Sequence, residues 1–313
     1  MSLTTTCRGL PRDGLLFALL AAFWGTSFVA IEIGLEHFPP LLFAGLRYVV
    51  AGGIILGYAV LTADRLLPAT RGDWAAVGVV GAFIIAGYHG LLYLGELYVS
   101  GAVASVVISL SPVLTAVFAS VLLADDYLGP VEAGGLAFGL LGVVVVAAPT
   151  PGAVAGTNLL GVGLVFLGGA CFALGAVLTR PVQSTMPLSS LEGWGMVVGS
   201  ALLFAGADLR GESLAAIDWS GPALPALVYL TLVSGVVAFL IYFTLLDRVG
   251  PTEINLIGYV EPAVAALVSW AVLGHLVDAT TLAGFVAIFV GFALIKRDTL
   301  SSLAGRSRSL PAE

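Results

Sequence analysis

The sequence predicts an all-α, polytopic membrane protein: ten transmembrane helices arranged as two inverted five-helix repeats. Three observations point there. Of 313 residues, 59% are hydrophobic and 10% charged, with a mean hydropathy of +1.08; no soluble core of this size needs so much apolar surface. Apolar runs of spanning length recur along the whole chain. The chain also matches itself: Pro112 maps to Pro262, Ala116 to Ala266, Leu123 to Leu273 and Gly134 to Gly284, each pair 150 positions apart. The offset extends upstream, where Gly25 meets Gly175 and Leu41 meets Leu191, so the chain reads as two copies of one unit.

In chain order the apolar segments are 14–34, 40–62, 74–97, 100–123, 128–148, 158–180, 189–207, 222–246, 250–273 and 279–296. The first follows Arg8 and Arg12 but has no A-x-A cleavage site and reaches spanning length, so it reads as a retained helix rather than a signal peptide. Pro39-Pro40, Gly129-Pro130, Pro149 to Gly152, Pro187, Gly221-Pro222 and Gly250-Pro251 punctuate the runs. These breaks give a first repeat at 14–148, a second at 158–296 and a cytoplasmic tail at 297–313. Each repeat carries a helix-breaking proline inside an apolar helix, Pro112 in Ser109-Leu-Ser-Pro112 and Pro262 in Glu261-Pro262, which frees backbone carbonyls at membrane depth.

Orientation follows from the basic residues. With the amino terminus in the cytoplasm, Arg8, Arg12, Arg65, Arg71, Arg180, Arg248, Lys296, Arg297, Arg306 and Arg308 all face inward; Arg210 faces out and Arg47 lies within the second segment. Five spans per repeat is an odd number. The second copy therefore enters the bilayer from the opposite side, the arrangement that underlies alternating access in secondary transporters.

Other classes are disfavoured. A net charge of −7 gives no basic face for nucleic acid. Cys7 and Cys171 make no disulfide framework. His37, His89 and His275 are scattered without metal-ligand spacing, and there is no P-loop, so neither a metal, a cofactor nor ATP is implied.

Polar groups at membrane depth mark candidate sites. Glu261, some eleven residues into the ninth segment beside Pro262, is placed to carry a proton; the alternative is a neutral packing role. Its counterpart in the first repeat is Ser111. In Gly87-Tyr88-His89-Gly90-Leu-Leu-Tyr93, His89 and Tyr93 share a helix face, and with Tyr88 they suit a small amphipathic solute; the alternative is a buried His satisfied by a helix carbonyl. Trp24 forms a cavity wall or fills a helix crossing, Tyr242 lines the cavity or packs beside Phe239, Ser109 in the proline stretch is a further candidate, and Asn255 and Tyr259 share one face of the ninth segment. Glu32 and Arg47 fall toward the outer ends of segments 1 and 2, where they pair in a vestibule or Arg47 reaches to the interface. Gly135-x-x-x-Gly139 and Gly284 to Gly291 mark segments 5 and 10 as closely packed scaffold, leaving segments 1, 3, 4, 6, 8 and 9 to line the cavity.

Trp24-Gly-Thr-Ser-Phe-Val-Ala-Ile, then Pro39-Pro40, then Leu46-Arg47-Tyr48, resembles the opening of an EamA-type repeat of the drug/metabolite transporter superfamily, and the two proline-centred stretches resemble its second half. The likeness spans residues 14–296. Glu32 stands where such repeats often carry a basic residue, and Asp125 and His275 where they often have Leu-Gly-Glu. The resemblance implies a ten-helix inner-membrane carrier that exports metabolites or amino acids. The expectation is therefore a secondary transporter in the cytoplasmic membrane, handling a small-molecule substrate and coupled to protons. The alternatives are an intramembrane enzyme built on Glu261 and His89, or a non-transporting membrane factor.

Overall fold

A computed structural model describes residues 10–123, 129–147, 157–182, 184–250, 254 and 256–295. Asn255 and the tail 297–313 lie outside the described residues. Every regular element within them is helical. In chain order these are α1 (Leu10–Leu35), α2 (Pro40–Thr62), α3 (Arg71–Gly95), α4 (Gly101–Leu122), α5 (Pro130–Val146), α6 (Thr157–Leu178), α7 (Leu188–Leu209), α8 (Ala223–Val249), α9 (Ile257–Leu273) and α10 (Ala279–Ile295). Seven are long and apolar enough to cross a membrane; α5, α9 and α10 are shorter apolar helices of 17 residues each. Large apolar side chains stand exposed around the outside, among them Leu61, Val144, Leu167, Leu267 and Val286. Water would penalise that surface, and lipid does not.

Local chemistry sets the helix ends. Pro40 and Pro130 open α2 and α5, at the turn where a missing N–H costs nothing. Thr70 and Asp73 form a reciprocal capping box at the start of α3. Gly250 (φ 87°) and Gly274 (φ 70°) follow the last residues of α8 and α9 in backbone conformations that side chains resist. Within the described residues of the ninth segment, α9 runs from Ile257, with Glu261 about one turn along it.

The two prolines act differently. Pro112 divides α4 into Gly101–Ile108 and Ser111–Leu122, and the Ser111 hydroxyl donates at 2.7 Å to the Ile108 carbonyl, the acceptor that Pro112 cannot serve. Pro262 sits inside continuous α9. There the helix approaches α1 so closely that a Cβ on Gly25 would lie 2.6 Å from Val264 Cβ and 2.9 Å from the Glu261 carbonyl.

Two helices widen into π geometry over Val80–Gly87 in α3 and Tyr229–Val237 in α8. Val80 and Gly87 map onto Leu230 and Val237 at the 150-residue offset, so the widening is itself a repeated feature.

α2 packs against α7, and α5 against α10. Gly45 faces Phe204, Gly52 faces Met196 and Gly193 faces Leu56, so α2 and α7 run antiparallel. Gly142 faces Gly284 and Ile288 while Gly291 faces Gly135 and Gly139, so α5 and α10 also run antiparallel. Polar contacts fasten both ends of the α2–α7 pair. At one end Arg65 pairs with Asp73 (2.9 Å), while Ser190 and the Trp194 indole donate to the Arg65 and Leu66 carbonyls (2.8 and 3.0 Å). At the other end, a Glu212 oxygen accepts the Leu41 and Leu42 amides, each at 2.9 Å.

Candidate functional site

α2 carries Arg47 into the middle of the helical assembly. Its side chain does not reach for the interface: the residue is 3% exposed. One guanidinium nitrogen donates to Tyr93 Oη and another to Ser234 Oγ, each at 3.1 Å, and the plane lies 4.7 Å from the Tyr48 ring centre. Nε has no partner. Among the described residues the direct partners of this cation are thus neutral hydroxyls and a ring. It does not pair with Glu32, as the sequence suggested.

His89 lies beside it. Nδ1 is 3.1 and 3.2 Å from the Ile84 and Ile85 carbonyls, which the π segment of α3 turns toward it, and Nε2 is 2.5 Å from Tyr48 Oη. A carbonyl only accepts, so Nδ1 bears the hydrogen and donates; if the ring is neutral, Nε2 accepts from Tyr48. The Tyr88 ring rests 4.2 Å from that of His89 and 5.4 Å from Phe172 on α6.

α1 and α8 supply an aromatic wall. Trp24 contacts Phe239 and Tyr242, both at 5.6 Å between ring centres, and its indole N–H donates at 3.3 Å to the Ser234 carbonyl. That carbonyl belongs to the second π segment, so each widened turn lends backbone acceptors to one ring of the site. Tyr229 Oη donates to the Phe23 carbonyl at 3.2 Å.

Three carboxylates surround the cluster. Glu261 lies within electrostatic reach of Tyr88, Glu192 of Tyr48 and Tyr242, and Glu96 of Arg47 and Glu32. The sequence reading overlooked Glu192. It stands four residues after Leu188, the first residue of α7, and a signal was there: it maps onto Leu42 of α2, the helix that carries Arg47.

Trp24, Tyr88, His89, Tyr93 and Tyr242 are therefore brought together, with Glu261 at the edge. Other sequence candidates lie elsewhere. Glu32 accepts from the Gly101 amide at 2.8 Å, capping α4, and its second oxygen is 3.2 Å from His275 Nδ1. The Ser109 hydroxyl is spent on the Val106 carbonyl at 2.6 Å. Tyr259 stacks on Phe292 of α10, with ring centres 4.0 Å apart. Asn255 is outside the described residues. The lining also recruits α2 and α7, which the sequence assigned no part in it.

A separate cleft of about 240 Å³ opens at the ends of α3, α4, α9 and α10, lined by Tyr98, Ser100, Val103, His275, Asp278 and Thr281. Partial burial works to raise the Asp278 carboxyl, but the Thr281 amide at 2.6 Å and the Thr280 hydroxyl at 2.9 Å prevail and hold it below the usual carboxylate range. Among the described residues no cluster of three metal-ligating side chains occurs.

This arrangement can enclose an amphipathic molecule. Rings grip its apolar part, while Arg47 and the carboxylates address its charges. Comparison with known proteins agrees with a membrane carrier. One relative is the "Uncharacterized inner membrane transporter YedA" of Escherichia coli K12, 29% identical over 287 residues that cover 87% of this chain and 90% of that one. A "Probable amino-acid metabolite efflux pump" of Salmonella typhimurium is 26% identical, covering 90% of this chain and 93% of that one. A solved structure titled only "Crystal structure of protein" superposes with a TM-score of 0.63 at 20% identity, covering 96% of this chain and 99% of that one, and so shares the fold. The sequence matches the EamA-like transporter family twice, over residues 12–148 and 159–297, and the chain belongs to that family of membrane transporters.

Proposed function

We propose that this protein is a ten-span secondary carrier that exports small amphipathic metabolites, amino acids or their relatives, across the cytoplasmic membrane, with both termini in the cytoplasm. Two five-helix repeats, 14–148 and 158–296, lie inverted against one another and alternate access to the Arg47 site, with proton coupling. The observation that carries this reading is the bond from Arg47 to Ser234, which joins a buried cation of one repeat to the other repeat at the centre of the molecule. Antiparallel packing of the repeat-equivalent pairs α2/α7 and α5/α10 supports the inversion. The 17-residue helices, rising about 1.5 Å per residue, are at the short end of spanning length. The efflux role given to the Salmonella relative supports export.

The enzymatic alternative has less behind it. A base must reach a substrate, yet both nitrogens of His89 are engaged by Tyr48 and backbone carbonyls, and among the described residues no nucleophile is hydrogen-bonded to Glu261. The non-transporting alternative leaves a desolvated cation between two repeats without a purpose, though such groups are costly in a membrane. The test is a screen of labelled amino acids and related metabolites in proteoliposomes at two pH values, with Glu261→Gln alongside. Saturable flux that Arg47→Ala abolishes is the expected result; solute-independent leak in every case overturns the carrier reading.

A further inference from the structure

Glu96 closes α3 at the turn into α4 and is one of the three carboxylates around the site described above. The residue is 6% exposed, and neither carboxyl oxygen has a hydrogen-bond partner. Among the described residues it is the one carboxylate orphaned at both oxygens; Glu192 is orphaned at one. The charges that reach it are Glu32 from α1 and Arg47 from α2, and it in turn acts on Tyr88 and Tyr93 of its own helix. Where α6 packs against this end of α3, it presents Val165 and the Gly161 backbone to Gly95. Arg47 Nε, also buried, is unpartnered as well.

We propose that Glu96 is a proton-binding site of the carrier: it holds a proton in this conformation and gives it up in exchange for an ion pair with Arg47. The inference rests on the carrier reading and names the group that couples it to protons. An ionised carboxylate enclosed without a partner is strongly disfavoured, with a neighbouring carboxylate adding repulsion; the protonated acid is not. When the O–H bond breaks, the proton leaves for solvent past the Glu32–His275 pair, and His275 lines the open cleft at this end. The carboxylate left behind accepts from Arg47 Nε–H. Arg47 then loosens from Tyr93 and from Ser234, so the charge on Glu96 is linked to the contact between repeats.

The test is infrared titration of the full chain in lipid nanodiscs, with no substrate present. Native protein should show a protonated carboxyl stretch at neutral pH that disappears as pH rises. Glu96→Gln should lose that band and Glu261→Gln should keep it. Arg47→Gln should retain it and move the midpoint to higher pH, because the anion has lost its cation; this readout holds even where Glu96→Gln fails to fold. A native protein without the band at neutral pH, a band that survives Glu96→Gln, or a midpoint unmoved in Arg47→Gln overturns the proposal. Flux without the band overturns Glu96 and leaves the carrier standing, whereas the band without flux for any solute overturns the carrier.

Discussion

The guanidinium of Arg47 on α2 donates to the hydroxyl of Ser234 on α8 across 3.1 Å, a bond between residues 187 positions apart and both buried. It joins the two homologous halves at the point where α8 has widened into a π turn. Arg47→Ala strands two buried hydroxyls, Tyr93 and Ser234, and should cost about 1–3 kcal/mol. Ser234→Ala removes one partner and should cost about 1 kcal/mol. Because the residues touch, a double-mutant cycle in thermal unfolding should give a coupling energy of roughly 0.5–3 kcal/mol. Strict additivity would mean that the contact does not join the halves. Lysine at 47 keeps the charge but not the two-pronged geometry, and flux should fall with it.

Trp24 holds its place by an indole bond to the Ser234 carbonyl and by two ring contacts. Trp24→Phe keeps a ring and loses the bond. Stability should fall by about 0.5–1.5 kcal/mol, with a modest rise in the KM for transport. Trp24→Ala also opens the wall, and a cavity of that kind costs about 3–5 kcal/mol when the ring is fully buried, less here because Trp24 is half-buried. Equal transport KM values for the two variants would remove Trp24 from the solute's surroundings.

The apolar segments were legible because bilayer thickness sets a length that composition reveals. That α5 and α10 pack closely was legible because glycine is where helices meet most closely; that they pack on each other was not. The direction of Arg47 was not. Leu46, Tyr48, Val49 and Val50 surround it, so no polar face distinguishes inward from lipid-facing, and only the neighbouring helices decide. The π turns leave no compositional mark, so the carbonyls offered to His89 and Trp24 were invisible. Glu32 looked like a site residue because it is acidic at depth; its role as a cap depends on Gly101, 69 positions away. The stacking of Tyr259 on Phe292 was not legible either, because spacing along one helix says nothing about which neighbour a face meets.

The α5–α10 contact makes a sharp prediction from backbone geometry. A Cβ on Gly142 would sit 2.6 Å from the Gly284 carbonyl oxygen and 2.7 Å from Ile288, whereas one on Gly53 would meet nothing within 4 Å. Gly142→Ala should therefore destabilise by about 1–3 kcal/mol through overpacking, since a backbone carbonyl cannot rotate aside. Gly53→Ala, in the interior of α2, should stabilise by about 0.5–1 kcal/mol through the lower helix propensity of glycine. Thermal unfolding in one detergent compares them. A harmless Gly142→Ala would mean that α5 and α10 are further apart than described.

Asp73 shows no exposed side-chain surface, yet it pairs with Arg65 at 2.9 Å and accepts from the Ala69 and Thr70 amides, both at 3.1 Å, and from Ser184 at 2.8 Å. It therefore ties the start of α3 to the approach of α7, at the end where Ser190 and Trp194 grip the loop after α2. Asp73→Ala leaves a guanidinium and several donors facing a void, and breaking a buried pair in this way costs about 3–5 kcal/mol. Arg65 is partly exposed and can turn to water, which places the outcome toward the lower figure. Asp73→Asn keeps, in its carbonyl oxygen, an acceptor for the Ala69 and Thr70 amides, so it should lose less than Asp73→Ala. Melting temperatures in the order native, Asp73→Asn, Asp73→Ala are expected; if Asn and Ala fall equally, the charge rather than the hydrogen bonds holds this end together.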